Sequence, residues 1–498
     1  MRRTLLVGLV AVALVAGACS SSKKTSKPAP VTTTTIATPS DLSVVRVNPD
    51  GAQRIDGFGA SGAWWVNDLI SFPADVQKRV GDMLFGPDGL LLSGYRYYIG
   101  GGGKGVTTPA RAMKEFPVDD PGRTFLKMAV DAHVPLITGF AYAGPPRFTT
   151  NGQACGGSLK PGMKRAWAQY LADVAKLALA AGTPFNYVSP MNEPDDSFPD
   201  CGQEGMKVAV NQRGPVVQAL AQALLADGVP AKVIADETTA DAILAAEVPK
   251  WLDATTRSDM AAIAHHTYDS PNDALRQGVA NLDTGLPTWM TEICCYKGSG
   301  GVGSGIGANY DPTMTQAFWL ADQIYDDLGI ARDSAWYWWT ALSPVLGCDP
   351  KADPGCPSRQ NTKGFNDGLL YYDEHHATSG ITQLFTTRRY GALGQFSRYV
   401  RPGAIRHDVT GAPNGVRMMA FAARYTWTVV AWNEGSAAAR VGIALPQSTH
   451  EIAETKTVET NATRQLADAA PPVRTAAGTW LVEVPAGTIA TYTFRTFN

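Results

Sequence analysis

Charge is scarce in this chain. Only 18% of its 498 residues are charged, the formal net charge is −2, and no long basic or acidic run crosses the body. Bulk electrostatics therefore offers nothing to hold nucleic acid or an anionic polymer. Internal repeats are also missing, which excludes solenoids and propellers. The apolar run from Leu5 to Ala16 is too short to span a bilayer as a mature helix. Phosphate-binding signatures fail on inspection. Gly100–Gly103 and Lys104 are followed by Gly105 where a phosphate loop needs Ser or Thr, and the glycines of 298–307 precede no helix start in register. Asp373-Glu374-His375-His376 are consecutive, a poor arrangement for converging on one metal ion. Neither a metal nor any other cofactor is expected.

The N-terminus has a leader's organisation: Arg2 and Arg3, the apolar run, then Gly17-Ala18-Cys19. Val-Ala-Gly-Ala-Cys resembles a bacterial lipobox, so residues 1–18 are expected to be removed and Cys19 acylated. Ordinary leader cleavage is the alternative. Residues 19–40 are rich in Ser, Thr, Lys and Pro with little to bury, and read as a tether of about 70 Å at full extension. The expected location is the extracytoplasmic face of a bacterial membrane, the lipid being the sole membrane contact and the body a monomer. Of 7 cysteines, Cys19 leaves six in an oxidising context. Cys348 and Cys356 bracket a short Asp/Pro/Gly loop, and Cys155 and Cys201 lie in loops that would staple two rim segments. Cys294 and Cys295 are left open between a vicinal bridge, other partners and free thiols.

With 45% hydrophobic residues the chain can build a sizeable core. From residue 53 short apolar runs alternate with amphipathic stretches. Leu136–Ala141, Phe185–Pro190, Lys232–Asp236, Ala261–His266, Thr288–Glu292 and Ser334–Trp339 read as strands, and Met163–Ala181, Pro215–Asp227 and Thr313–Leu328 as helices. That alternation predicts a parallel α/β architecture over 53–392. A (β/α)8 barrel is favoured over a doubly wound sheet because polar groups end many successive strands. From 393 to 498 short strands divided by Gly, Asn and Pro predict a β-sandwich, which the strand-like stretch at 41–52 would join.

Two strand-like runs end in glutamate: SPMNEP around Glu193 and TWMTE around Glu292. Opposed carboxylates are glycosidase machinery; in the retaining route they stand about 5–5.5 Å apart. Glu292 is assigned as nucleophile and Glu193 as acid/base, since a nearby anion raises the pKa of the acid. Asn192 is placed to bond a sugar 2-hydroxyl, and Arg96 to orient Glu292. His266 and Tyr268, two apart, share a face, with Tyr268 in reach of Glu292. Trp338 and Trp339 alternate faces, so one floors the sugar site and the other packs behind the barrel. Trp64, Trp65, Tyr142 and Phe148 are further candidate sugar platforms.

Taken in order, IDGFGASGAWW (Ile55–Trp65), YRYYIGGGG (Tyr95–Gly103), GPPRFTTNG (Gly144–Gly152), SPMNEP, HHTY, WMTE, WYWW and QFSRYVRPG (Gln395–Gly403) resemble glycoside hydrolase family 30 over residues 53–403. The resemblance implies a (β/α)8 barrel with a side β-sandwich, a retaining glycosidase with Glu193 as acid/base and Glu292 as nucleophile, and Arg96, Asn192, His266, Tyr268 and Trp338 in the site. Departures are Phe148, where the family commonly has Trp, and the Cys294-Cys295 pair. GFGASGAWW is most similar to the galactanase-like branch, so β-1,6-galactan is the favoured substrate. β-Glucan, xylan or a galactofuranose-containing envelope glycan are the alternatives. In a different class stands a lipid-anchored carbohydrate-binding protein, which needs no opposed glutamates.

Overall fold

The structure, a computed structural model, describes residues 35–269, 271–295, 308–447 and 451–496. The leader, Cys19 and the glycine-rich 298–307 stretch lie outside them. Eight parallel strands close a barrel: β1 (Gly57–Ser61), β2 (Gly94–Ile99), β3 (Leu136–Ala141), β4 (Tyr187–Ser189), β5 (Lys232–Thr238), β6 (Met260–His266), β7 (Thr288–Ile293) and β8 (Ala335–Trp338). β8 pairs back onto β1, Ala335 opposite Gly57, so the open doubly wound alternative is excluded. The strands are buried on both faces, which is why they read as unbroken apolar runs. Inside the barrel Leu136, Ile234, Ala264, Trp289 and Tyr337 form a packed plug. Gly59 and Gly94 make room for it: a Cβ on either would overlap Tyr337. Outside, the helix Lys164–Ala180 buries Trp167, Leu171, Val174 and Ala178 at helical spacing. Each large apolar side chain so buried contributes about 1.5–3 kcal/mol.

Eleven further strands form a second sheet, and three small sheets of two or three strands decorate the barrel loops. Ser43–Arg54 lies in it between Ala439–Ala444 and Ile405–Thr410, joining the N-terminal segment to the C-terminal region. Trp480 and Phe494, on strands that are not neighbours in the order, meet with ring centroids 5.5 Å apart; the sheet curls into a sandwich around them. The helix Arg388–Ser397 is the wedge between the bodies, Phe396 packing on Phe58 of the barrel and Trp432 of the sheet. One expectation is corrected. Thr35 and Ile36, assigned to the tether, pair with Arg474 and Thr475 in the sheet, since a β-branched pair satisfies its backbone at that edge. No described helix is long and apolar enough to cross a membrane.

Candidate active site

Strand ends of the barrel converge on one buried guanidinium. Arg96, on β2, donates from Nη1 to Glu292 Oε2 at 2.6 Å and Ser61 Oγ at 3.2 Å, and from Nη2 to Asn192 Oδ1 and Glu237 Oε2, both at 3.2 Å. The Phe140 ring lies 3.9 Å beneath it. Burial opposes its charge, but Glu237 and Glu292 outweigh that and raise its pKa above the ordinary arginine value. Tyr268 donates to the other oxygen of Glu292 at 3.0 Å, so both carboxylate oxygens are held. Asn192 has no partner for Nδ2 among the described residues, leaving a donor directed by the bond its Oδ1 makes.

The β6 imidazole links the acids. His266 Nδ1 lies 3.1 Å from Glu193 Oε1, and Nε2 lies 3.1 Å from Glu237 Oε2. Burial would lower its pKa, but Glu292, Glu193 and Glu237 lift it to about 9, so both nitrogens carry protons near neutrality and donate. Glu193 is pushed up to about 7, by burial first and by Glu292, against the pull of His266. Oxygens of Glu193 and Glu292 and a nitrogen of His266 all lie within 4.8 Å of one another. Such a trio has the spacing of a metal site, but both ring nitrogens already serve carboxylates, so proton holding is the chemistry it fits. The Asp373–His376 run does not converge either: His376 stacks on Phe72 and Asp373 caps the His375 N–H.

Glu237 is the residue that sequence reasoning missed. It lies next to last in β5, in KVIADET, as Glu292 does in β7, but Asp236 makes the run look finished one residue early. Asp236 faces outward to Arg213 at 2.7 Å, and the strand continues. Burial would raise the pKa of Glu237, but Arg96, His266 and the Thr291 hydroxyl bring it down to about 2. Thr291 and Glu292 both turn into the site although they are consecutive. A bulge makes this possible: His265 and His266 face Met290 and Glu292 across β6 and β7, leaving Thr291 as the extra residue.

A cleft of about 470 Å³ opens over these groups. Its walls include Glu193, Glu292, Tyr268, Tyr142, Trp64 and Trp339. Trp64 and Trp339 meet edge to face at 4.8 Å, and Tyr142 stacks on Tyr98 at 4.6 Å. Trp338 does not reach the cleft: it points out of the barrel, donates to the Asp367 carbonyl at 2.5 Å and packs on Trp319. One tryptophan thus walls the cleft and the other packs behind the barrel, as alternation requires, but the place in the site that the resemblance implied for Trp338 is taken by Trp339, because Tyr337 occupies the barrel centre and sends Trp336 and Trp338 outward. Trp65 packs on Phe125 away from the glutamates, and Phe148 packs on Trp167 behind the rim. Disulfides join Cys155 to Cys201 across two rim loops and Cys348 to Cys356, and Cys294 to Cys295 as a vicinal bridge in the cleft wall.

Comparison with known proteins agrees with this geometry. The chain is similar to a conserved exported protein from Bacteroides fragilis (TM-score 0.73, 18% identity, covering 90% of this chain and 100% of that one). It is also similar to the catalytic domain of GH30 xylanase C from Talaromyces cellulolyticus (0.70, 21%, 91% and 100%). An endo-beta1,6-glucanase matches with TM-score 0.68 at 15% identity, covering 91% of this chain and 94% of its own. At these identities the likeness speaks for the fold. The model of O-Glycosyl hydrolase family 30 matches residues 42–349, more than half of the sequence. The chain therefore belongs to glycoside hydrolase family 30 and is a glycosidase.

Proposed function

We propose that the enzyme hydrolyses β-linked polysaccharide by double displacement, with Glu292 as nucleophile and Glu193 as acid/base. The observation that carries this reading is that an oxygen of Glu193 and one of Glu292 lie within 4.8 Å of each other around His266, far closer than the roughly 6.5–9.5 Å that makes room for a water in an inverting pair. Glu193 delivers its proton to the leaving glycosidic oxygen while a Glu292 oxygen bonds the anomeric carbon. Water, deprotonated by Glu193, then breaks the glycosyl ester. Charge is balanced throughout. Arg96 and His266 face Glu237 and Glu292 while Glu193 is neutral; once Glu292 is esterified, Glu193 can ionise without changing the sum. Asn192 Nδ2 is offered to the 2-hydroxyl of the reacting sugar, and Trp339, Trp64 and Tyr142 to its apolar faces.

β-1,6-Galactan is the favoured substrate, on the strength of the GFGASGAWW segment that builds β1 and the Trp64 wall. Lipid attachment at Cys19 would hold the enzyme on the outer face of a bacterial membrane; Cys19→Ser should move it from membranes to the soluble fraction. The test of activity is product release from β-1,6-galactan, β-1,3-galactan, β-1,6-glucan, xylan and a galactofuranan, with Glu292→Ala alongside. Release from one polymer, absent in the variant and giving the retained anomer first by NMR, is the expected result. Binding of intact polymer without release by either protein would instead favour the lipid-anchored carbohydrate-binding role.

A further inference from the structure

A second chamber of about 450 Å³ adjoins the catalytic cleft and shares Trp64, Arg111 and Asp367 with it. Its walls come from the segments following β1, β2 and β8. In a ring of eight strands β8 stands opposite β4, whose end carries Glu193. The leaving group departs on the Glu193 side, so this chamber lies on the other, glycone side of the scissile bond. Its polar lining is rich in acceptors, Asp68 (which accepts from the Tyr372 hydroxyl), Asp367, Asp373 and Glu374, against the guanidinium of Arg111, drawn over the Trp64 ring at 4.5 Å, and the imidazole of His375. Asp367 and Asp373 are each more than nine-tenths buried. Asp367 Oδ1 and Asp373 Oδ2 have no hydrogen-bond partner among the described residues.

Buried acceptors without donors are costly, roughly 1–3 kcal/mol each, and a ligand that brings hydroxyl donors relieves that cost. Resting on the glycosidase reading above, we infer that this chamber is a second sugar subsite, for a neutral, hydroxyl-bearing residue that precedes the cleaved sugar. Four carboxylates around one arginine select against a uronic acid there. The enzyme accordingly acts on chains and releases at least a disaccharide from the glycone side, in preference to trimming single sugars.

The test holds the leaving group constant. The 4-nitrophenyl β-galactoside and the 4-nitrophenyl glycoside of β-1,6-galactobiose are compared, with their gluco and xylo counterparts. The disaccharide is expected to have a kcat/KM at least tenfold above the monosaccharide, and a disaccharide ending in a uronic acid to lose that gain. Val345 lines the chamber rim and is 42% exposed, so Val345→Trp can fill the space without disturbing the core. It should lower kcat/KM on the disaccharide tenfold or more and on the monosaccharide less than twofold; Asp373→Asn should act in the same direction by raising KM. Equal rates on both lengths in the unaltered enzyme, or equal losses on both in the variants, would overturn the inference. Silence of the folded enzyme on every polymer and glycoside would instead sink the glycosidase assignment on which it rests.

Discussion

His266→Asn tests the charge arrangement most directly. The imidazolium donates to Glu193 at 3.1 Å and is the main influence holding the acid's pKa down against burial. Asparagine removes the charge and leaves a neutral donor. A hydrogen bond to a charged group is worth about 1.5–3 kcal/mol, a neutral donor about half of that, and one pH unit corresponds to about 1.4 kcal/mol. The loss therefore amounts to about one pH unit at Glu193. The sign is fixed by what kcat/KM requires. On the proposed acid/base role Glu193 must be protonated in the free enzyme, so activity should fall as pH rises through its value of about 7. Without the neighbouring cation the proton is kept to higher pH, and that limb should move alkaline by about one unit. The assay is kcat/KM from pH 4 to 10 on an unactivated β-linked oligosaccharide, whose poor leaving group demands the acid, with circular dichroism to confirm folding. A folded variant whose alkaline limb stays put or moves to lower pH would refute the proposed roles of His266 and Glu193.

Other perturbations separate chemistry from scaffold. Trp339→Ala should lower kcat/KM roughly tenfold or more, since a platform ring contributes about 1–3 kcal/mol of stacking to a ligand, and, because the ring is only 5% exposed and packed on Trp64, its loss should also lower stability. Trp338→Ala should instead cost about 3–5 kcal/mol in denaturant unfolding, as a core tryptophan. Glu204 accepts from the Gly101 and Gly103 N–H groups and the Tyr98 hydroxyl, clamping the β2 glycine loop to the β4 loop. Glu204→Ala strands three buried donors and should cost about 3 kcal/mol or more, read as a fall in Tm. Opening the Cys155–Cys201 bridge by a double serine substitution should cost about 2–4 kcal/mol, with equilibrium unfolding as the measurement.

Much of the barrel was legible because its strands are buried on both faces and so stand out as apolar runs; the assigned strands from Leu136 to Trp339 lie within two residues of β3 to β8 at either end. The two glutamates stood out because an ionisable group ending such a run is chemically expensive. Phase was harder to see. Alternation places Trp338 and Trp339 on opposite faces but does not say which is inside; that is decided by Tyr337 filling the space opposite Gly59 and Gly94, a long-range fit. Glu237 was hidden by a local signal, Asp236, whose partner Arg213 lies on a helix. The sheet strand Ile452–Thr460 was also missed, since its first half is only partly buried and reads as polar chain.

The chemistry sits where the barrel gives up its regularity. Glu193 and Glu237 both adopt left-handed backbone, with φ of 46° and 62°, at a cost on the order of 1–3 kcal/mol each. They brace one another, the Glu193 N–H donating to the Glu237 carbonyl at 2.8 Å. The bulge on β7 does the same work for Glu292, turning it and Thr291 inward together. A regular strand would present one of every two consecutive residues to the cleft and set the rest in the surrounding helices. Irregular ends let six polar side chains, Arg96, Asn192, Glu193, Glu237, His266 and Glu292, converge from strands or strand ends that regular alternation would have kept partly apart. The strain is sustained because Arg96, His266, Glu237 and Glu292 are each held by at least two partners and Glu193 is tied to them through His266, so relaxing one backbone would break several charge-assisted bonds at once.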